Sequence, residues 1–332
     1  MKTHVKLILA SALSVPAASV FACASCGCTL NSDWGSQGLS STEGWSLDVR
    51  YDTLNQNELR RGTGTISSAD AANVQNTALN QAAEVEKYTN NQYLTTTLDY
   101  NQGQSWGVSV AIPYINRSHS TLGTGSPDGV TPGSGAYDSQ GSGLGDVRVI
   151  GRYYGFAAGN NFGLQLGLKL PTGSNTQHAN DGVTQVDPGL QLGTGTTDAI
   201  VGVYYFDNLN QDWDYFTQAQ YQAALDKASF FDGTSYRPGD SVNVTAGVRY
   251  HGFATFTPTL QLNVRNVQTD SGTGADTFST GGTLVYLTPG VVLPLSPTVA
   301  LHTDLQLPIY QNVNGVQLAP TSIFSVGLRF SF

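Results

Sequence analysis

Three cysteines near the start of the chain are its most reactive side chains, and they fall within the six residues 23–28. The rest of the sequence contains no cysteine. A Cys23–Cys26 disulfide, a soft-metal site formed by Cys23, Cys26 and Cys28, and lipidation of Cys23 all fit this spacing. A covalently bound haem does not fit, because the C-x-x-C-H sequence is missing. The sequence leaves the other three chemistries open.

Charged side chains are the second set of residues that could do chemistry. Many of them occur at every other position, between apolar residues. Seven basic and seven acidic side chains have this spacing, and the balance argues against strong selectivity for ions of one sign. Such a face would either orient the polar groups of a solute or hold its charges together as structural ion pairs. We single out seven residues for solute contact: Arg148, Arg152, Lys169, Arg249, Arg265, Asp146 and Asp304.

The first 22 residues have the pattern of a secretory signal peptide. Lys2 and Lys6 precede an apolar stretch over 7–22, which ends in Val-Phe-Ala. Removing this segment takes away two of the 15 basic side chains and none of the 24 acidic ones, which leaves a net charge of 13 minus 24, or −11. This charge argues against nucleic acid as a partner. Charged residues are also scarce, at 12%, against about 25% in ordinary soluble domains.

The remaining chain repeats one pattern, in which apolar and polar residues alternate with the period of a β-strand. The first such segment is Trp45–Asp52 and the last is Phe324–Phe332, and we count about twelve in all. Short connections alternate with long ones, as in an outer-membrane barrel. The long ones are expected around 56–90, 116–143, 173–195, 225–240, 267–281 and 312–320.

Two features of these segments favour a membrane barrel over a soluble sheet. Their apolar faces carry no charged residue, as a lipid-facing surface requires. Aromatic residues collect beside the short connections, as in an interfacial girdle. These are Trp45, Tyr100, Trp106, Tyr153, Phe162, Tyr205, Trp213, Tyr250, Phe256 and Phe332. We therefore predict an all-β fold: a closed antiparallel transmembrane β-barrel, because an open edge in lipid would leave backbone groups unpaired.

This fold predicts three parts of the chain and two local features. The parts are the signal peptide 1–22, a cysteine-bearing periplasmic or lumenal segment 23–44, and the barrel 45–332. Within 56–90 we expect either a short helix over the barrel mouth, acting as a lid, or a solvated loop. The last strand ends in Phe332, which resembles the signal read by the barrel-assembly machinery of the outer membrane.

Several short runs in the second half of the chain resemble those of a known family. They are Gly143-Leu144-Gly145-Asp146-Val147, residues 166–173, Gly193-Thr194-Gly195-Thr196-Thr197-Asp198, Thr288-Pro289-Gly290 and residues 307–315. Over 143–332 the chain resembles the outer-membrane family catalogued as transporters of the MetA pathway of phenol degradation. The resemblance implies a small channel or transporter in the bacterial outer membrane, surrounded by lipid. The glycines of these runs also fit the bends of a barrel rim, where loops enter strands.

Residues for hydrolytic catalysis are sparse. Of the four histidines after residue 22, none has a lipid-facing serine beside it in an obvious nucleophile motif. We therefore expect no enzyme activity, and no cofactor apart from a metal at the three cysteines. The function that we predict is porin-like passive passage of a small solute, including aromatic or other hydrophobic compounds. The alternative is a scaffold whose cysteine-rich start binds metal or docks a periplasmic redox partner.

Overall fold

The computed structural model describes residues 43–79, 84–124, 131–133, 135–156, 159–230 and 233–332. The predicted signal peptide and Cys23, Cys26 and Cys28 lie outside these residues, so what we infer about them remains a prediction. The strands are β1 (Gly44–Gly62), β2 (Gly64–Thr65), β3 (Glu84–Asn101), β4 (Trp106–Thr124), β5 (Asp138–Leu144), β6 (Val147–Tyr153), β7 (Phe162–Leu170), β8 (Asp198–Asn208), β9 (Trp213–Ala224), β10 (Ala228–Ser229), β11 (Ser235–Tyr236), β12 (Ser241–Tyr250), β13 (Thr257–Val267), β14 (Gly282–Ser296) and β15 (Val299–Ser331). A helix α1 (Ser68–Leu79) and a 3₁₀ turn (Pro188–Leu190) complete the described elements.

One antiparallel sheet closes on itself to form the barrel. Its neighbours follow the order β15-β14-β13-β12-β9-β8-β7-β6-β4-β3-β1, and β1 pairs with β15 to complete the circle. The long strand β15 contributes two wall strands: Val299 to Val313 pairs with β14, and the part up to Ser331 pairs with β1. The described residues thus build the wall from eleven elements that supply twelve antiparallel strands. The predicted closed barrel of about twelve strands is confirmed.

The reversal inside β15 corrects one expected connection. We predicted a long loop around 312–320, but strand continues through this range. Gly315 has a φ of 54°, a left-handed conformation that glycine adopts without strain, and it lies between the two halves of the strand. A reversal at one glycine therefore replaces the expected loop.

The range 56–90 contains both strand and helix. β1 continues to Gly62 and β3 begins at Glu84, so the connection between them is shorter than expected. The predicted helix is present as α1, and it follows Ser67, whose Oγ accepts a hydrogen bond from the Asp70 backbone N–H (3.1 Å). Ala71 and Ala72 of α1 pack on wall residues of β1, β3, β4 and β15.

The two faces of the wall differ as the alternation predicts. On β7, Leu164, Leu166 and Leu168 are 39%, 66% and 42% exposed, whereas Gln165 between them is fully buried. At the end of the barrel with short turns, aromatic rings contact one another in sequence. Ring centroids are 4.9 Å apart for Trp45 and Tyr100, and 5.5 Å apart for Tyr100 and Trp106. The apolar belt and its aromatic girdle are the surface that contacts lipid.

Three long neighbouring strands, β1, β3 and β4, extend past this belt on the side of the long connections. Outward-facing residues there are polar and exposed, including Asn90, Gln92 and Asn116. The inner side of this extension is the outer mouth of the barrel. No helix among the described residues is long and apolar enough to span a membrane.

Candidate functional site: the barrel interior and its outer mouth

Two of the predicted contact residues are buried in ion pairs along the inner wall. Arg152 Nη2 lies 2.7 Å from Asp99 Oδ2, and Arg249 Nε lies 2.7 Å from Asp214 Oδ1. The Arg249 guanidinium also stands 4.9 Å from the ring centre of Phe216. Both arginines are 3% exposed. These contacts are the structural ion pairs that the sequence left open as one of two alternatives.

Lys169 and Asp146, also predicted to contact solute, belong to a buried cluster at the outer end of β7. The Lys169 ammonium lies 2.9 Å from Asp146 Oδ2 and 3.1 Å from Asp198 Oδ1, and it donates to the carbonyl oxygen of Thr196 (2.9 Å). Asp146 in turn accepts hydrogen bonds from the backbone N–H groups of Gly173 and Thr194, both at 3.0 Å. We call Asp146, Lys169 and Asp198 the lysine clasp. It joins three of the sequence runs that carried the family resemblance.

The three remaining predicted residues, Arg148, Arg265 and Asp304, are partly exposed. Arg148 on β6 hydrogen-bonds Gln222 on β9, so its side chain reaches past β7 and β8 on the inner side of the wall. Arg265 Nη1 donates to Asn243 Oδ1 (2.9 Å) on the neighbouring strand. These three side chains therefore keep part of their surface accessible.

Uncharged side chains line the wall between the charged ones. Gln165 Oε1 accepts a hydrogen bond from Gln218 Nε2 (3.0 Å), and Asn263 Nδ2 donates to Thr288 Oγ1 (2.9 Å). Gln165 lies flat over Gly202, where a Cβ would come within 2.6 Å of Gln165 Oε1. The alternation of the sequence does not reveal the glycine gap that accommodates Gln165.

The connection 171–197 between β7 and β8 folds into the outer mouth. Val186, Leu190 and Leu192 are buried there at 3–5% exposure. From β4, Arg117 Nη1 donates to the carbonyl oxygens of Gly189 (3.2 Å) and Gln191 (3.0 Å). The connection therefore crosses the inner side of the mouth from β7 to β4. We call residues 171–197 the inward loop.

Buried acidic side chains meet beside the inward loop. Glu84 and Glu86 come from β3 and Asp187 from the loop, and they are 6%, 3% and 4% exposed. Burial raises the pKa of Glu84 to about 7, and burial together with neighbouring carboxylates raises the pKa of Glu86 and of Asp187 well above the ordinary range. We call Glu84, Glu86 and Asp187 the acidic cluster. Sequence reasoning missed it, because no local pattern brings β3 and residue 187 together.

Among the described residues, no group of three or more histidine, cysteine, aspartate or glutamate side chains is arranged to hold a metal ion.

One run, Gly103–Gly107, has the G-x-S-x-G spacing of a hydrolase nucleophile. Its serine, Ser105, lies in the turn between β3 and β4 and bonds Gln102 Oε1 through its backbone N–H (3.2 Å). A nucleophile elbow joins a strand to a helix, so this run is a hairpin turn.

The comparisons with known proteins show the fold. No family model and no curated protein matches the chain. Among solved structures, it is similar to an outer membrane channel from Pseudomonas putida F1, with 13% identity and a TM-score of 0.60 over 92% of this chain and 100% of that one. It is less similar to the β-domain of the Bordetella autotransporter BrkA, with 14% identity and a TM-score of 0.49 over 88% of this chain and 100% of that one. The chain thus has the fold of a bacterial outer-membrane β-barrel.

Proposed function

We propose that the protein is a channel of the bacterial outer membrane through which a small solute passes passively. The observation that carries this proposal is the division of the closed wall into an apolar outer belt and a polar, charged inner face. Such a wall keeps lipid away from a polar interior. The fold shared with an outer membrane channel supports the same function.

We assign contact with the solute to Arg148, Arg265 and Asp304, because these predicted residues are partly exposed. A solute would exchange hydrogen bonds with water for hydrogen bonds with these groups. Arg152 and Arg249 instead shape the wall, since a buried arginine already paired with a carboxylate has little attraction left for a third group. Lys169 and Asp146 hold the rim.

The solute that we propose is a small aromatic or other hydrophobic compound with at least one hydrogen-bonding group. Leu54 of β1, Tyr286 of β14 and Ile323 of β15 form a buried apolar cluster in the inner wall. Tyr93 of β3 packs against it and is partly exposed, so its ring is the apolar surface that supports this class. Amide and charged side chains occupy other strands of the same wall. An interior with both kinds of surface suits a molecule such as a phenol.

Planar-bilayer conductance tests the channel. We would compare the mature protein, starting at Cys23, with a version starting at Gly44. Stepwise conductance of the mature protein, reduced by a competing phenol, is the expected result. Conductance of the shorter version alone would identify residues 23–43 as a plug. If neither protein conducts, although heat-dependent gel mobility shows that both barrels are folded, the proposal is overturned.

The scaffold remains a second proposal that concerns only the cysteine-bearing segment. Metal content of the purified protein, with and without Cys26→Ser, tests it. Stoichiometric metal that disappears in the variant would support a metal-binding scaffold, whereas no metal in either protein would reject that form of it. Co-purification of a periplasmic redox protein, lost in the same variant, would support docking.

The contact between the last strand and the assembly machinery is also a proposal. Phe332 is 73% exposed, and its backbone N–H and C=O pair with those of Trp45 at 2.9 Å each. An exposed aromatic ring at the seam is accessible to an assembly factor. Phe332→Ala would slow insertion into native outer membranes but leave insertion into pure lipid vesicles unchanged if that contact exists.

A further inference from the structure

The acidic cluster brings the inward loop against β3, beside the hydrogen bonds that Arg117 of β4 makes to the same loop. Glu84 and Glu86 belong to the wall strand β3, whereas Asp187 belongs to the inward loop. Tyr137, which precedes β5, donates its hydroxyl to Asp187 Oδ2 (3.2 Å). The state of this cluster therefore bears on whether the inward loop stays against the wall.

Several atoms of the cluster are buried without a hydrogen-bond partner. They include both carboxylate oxygens of Glu86, Oε1 of Glu84 and Nε2 of the neighbouring His119. A buried carboxylate without donors is strongly unfavourable, and the neutral acid is the form that such a site tolerates. The arrangement thus fits protonated carboxyl groups better than ionised ones.

The other titratable groups that face the cluster do not neutralise it. His119 lies 3.9 Å from Glu86 Oε2, but burial and the nearby Arg117 lower its pKa to about 3, so it is uncharged at ordinary pH. Asp276, from the connection after β13, adds a further negative charge beside Glu84, Glu86 and Asp187. Arg117 spends its donors on Asn91, Tyr93 and the carbonyls of the inward loop. The charge of Asp138 opposes the lowering of the His119 pKa, and Tyr137 stays protonated because its own pKa is raised.

We propose that Glu84, Glu86 and Asp187 form a proton-operated latch, which holds the inward loop in the outer mouth while protonated and releases it on ionisation. The direction follows from linkage: acids with a raised pKa in the closed form stabilise that form at low pH and lose this contribution as pH rises. For Glu84 this contribution falls as pH rises from its ordinary pKa of 4.5 to about 7, and it has gone by neutral pH. The consequence for conductance rests on the proposed channel function, but the movement of the loop does not.

Hydrogen exchange of the inward loop, measured on the full-length protein in detergent, tests the latch without relying on transport. The variant is the double substitution Glu84→Gln, Asp187→Asn, whose amides cannot ionise. At pH 8.5 we expect peptides from 174–195 to exchange at least about tenfold faster in the wild type than in the variant, the effect of about 1.4 kcal/mol. At pH 4 the two proteins should match. Comparing proteins at the same pH removes the intrinsic pH dependence of exchange.

Asp212→Asn is the matched control, because Asp212 is exposed in a short turn at the opposite end of the barrel. It should behave as the wild type at both pH values. Equal protection of wild type and double variant at pH 8.5 would overturn the latch. So would a release that follows addition or chelation of Ca²⁺ rather than pH, since the cluster would then be a cation site. Should the double variant fail to fold, the single variants Glu84→Gln and Asp187→Asn carry the same comparison.

Conductance in the same pH range separates the two proposals. Loop release without any conductance would leave the latch standing and contradict the channel. Conductance together with an inward loop that is equally protected at both pH values would support the channel and contradict the latch.

Discussion

The ammonium group of Lys169, at the end of β7, forms ion pairs with two buried carboxylates, those of Asp146 and Asp198. Its side chain is 7% exposed, so water cannot replace it if it is lost. Removing one partner of a buried ion pair leaves the other charge uncompensated, which typically costs about 3–5 kcal/mol. The identity of this residue is therefore expected to matter for stability.

The first prediction follows from this environment. We expect Lys169→Met to lower the free energy of unfolding by about 3–5 kcal/mol, measured by urea denaturation in detergent micelles. Lys227→Met is the control, because Lys227 is exposed. A Lys169→Met protein as stable as the control variant would mean that the clasp does not hold the rim.

A second prediction concerns the partly exposed arginines. Arg148→Gln and Arg265→Gln each remove a positive charge from the interior, so we expect the reversal potential in a potassium chloride gradient to shift toward cation preference. Arg61→Gln, which changes an exposed residue at the end of β1, should leave the potential unchanged. An unchanged potential in both interior variants would remove these arginines from the solute path.

Alternation along the sequence was sufficient to place these charges on the inner face, but it did not reveal their partners. The partner of a side chain depends on how strands are aligned, and Arg148 reaches a strand three positions round the barrel. The sequence therefore left solute contact and ion pairing equally open. The structure assigns Arg152, Lys169 and Arg249 to ion pairs and leaves Arg148 partly exposed.

At the scale of elements, the strands that cross the lipid belt were predictable and the parts beyond it were not. Lipid imposes an uninterrupted apolar face on segments such as β7, and that face is visible in the sequence. Past the belt, residues such as Gln311 and Asn312 are polar although they lie in strand, so the range 312–320 has the composition of a loop. The inward loop and the acidic cluster depend on contacts between distant segments, which one sequence does not display.

The third prediction concerns the reversal in β15. A Cβ at Gly315 would add backbone strain and come within 2.5 Å of the Phe278 carbonyl oxygen. We expect Gly315→Ala to destabilise the barrel by more than Gly182→Ala, which places a side chain at a φ of 73° in open space. Urea midpoints of the two variants, compared with the wild type, provide the measurement. Equal midpoints would show that only the backbone conformation matters at Gly315.

At the scale of the whole molecule, the lipid belt is a solvent requirement that covers the entire barrel. Leu166 is 66% exposed in the belt, and Val183 is 79% exposed on the inward loop. An arginine facing the middle of a bilayer costs about 2–4 kcal/mol, whereas one in water costs almost nothing. Exposure alone thus does not tell how a position responds to charge.

The fourth prediction uses this pair of positions. We expect Leu166→Arg to reduce the folded fraction in lipid vesicles and Val183→Arg to leave it unchanged, as followed by heat-dependent gel mobility. In detergent micelles, which adapt to a charged side chain more easily than a bilayer does, the difference in folded fraction between the two variants should be smaller. Equal insertion of both variants would contradict the position of the belt on β7.

The pairing of Trp45 with Phe332 also determines when the molecule can be completed. Because β1 and the second half of β15 meet at this seam, the cylinder closes only after both of these distant segments have been synthesised. A chain that lacks the second half of β15 keeps two unpaired strand edges, which can pair with other chains. Loss of this half-strand would therefore give an aggregation-prone protein rather than a slightly narrower pore.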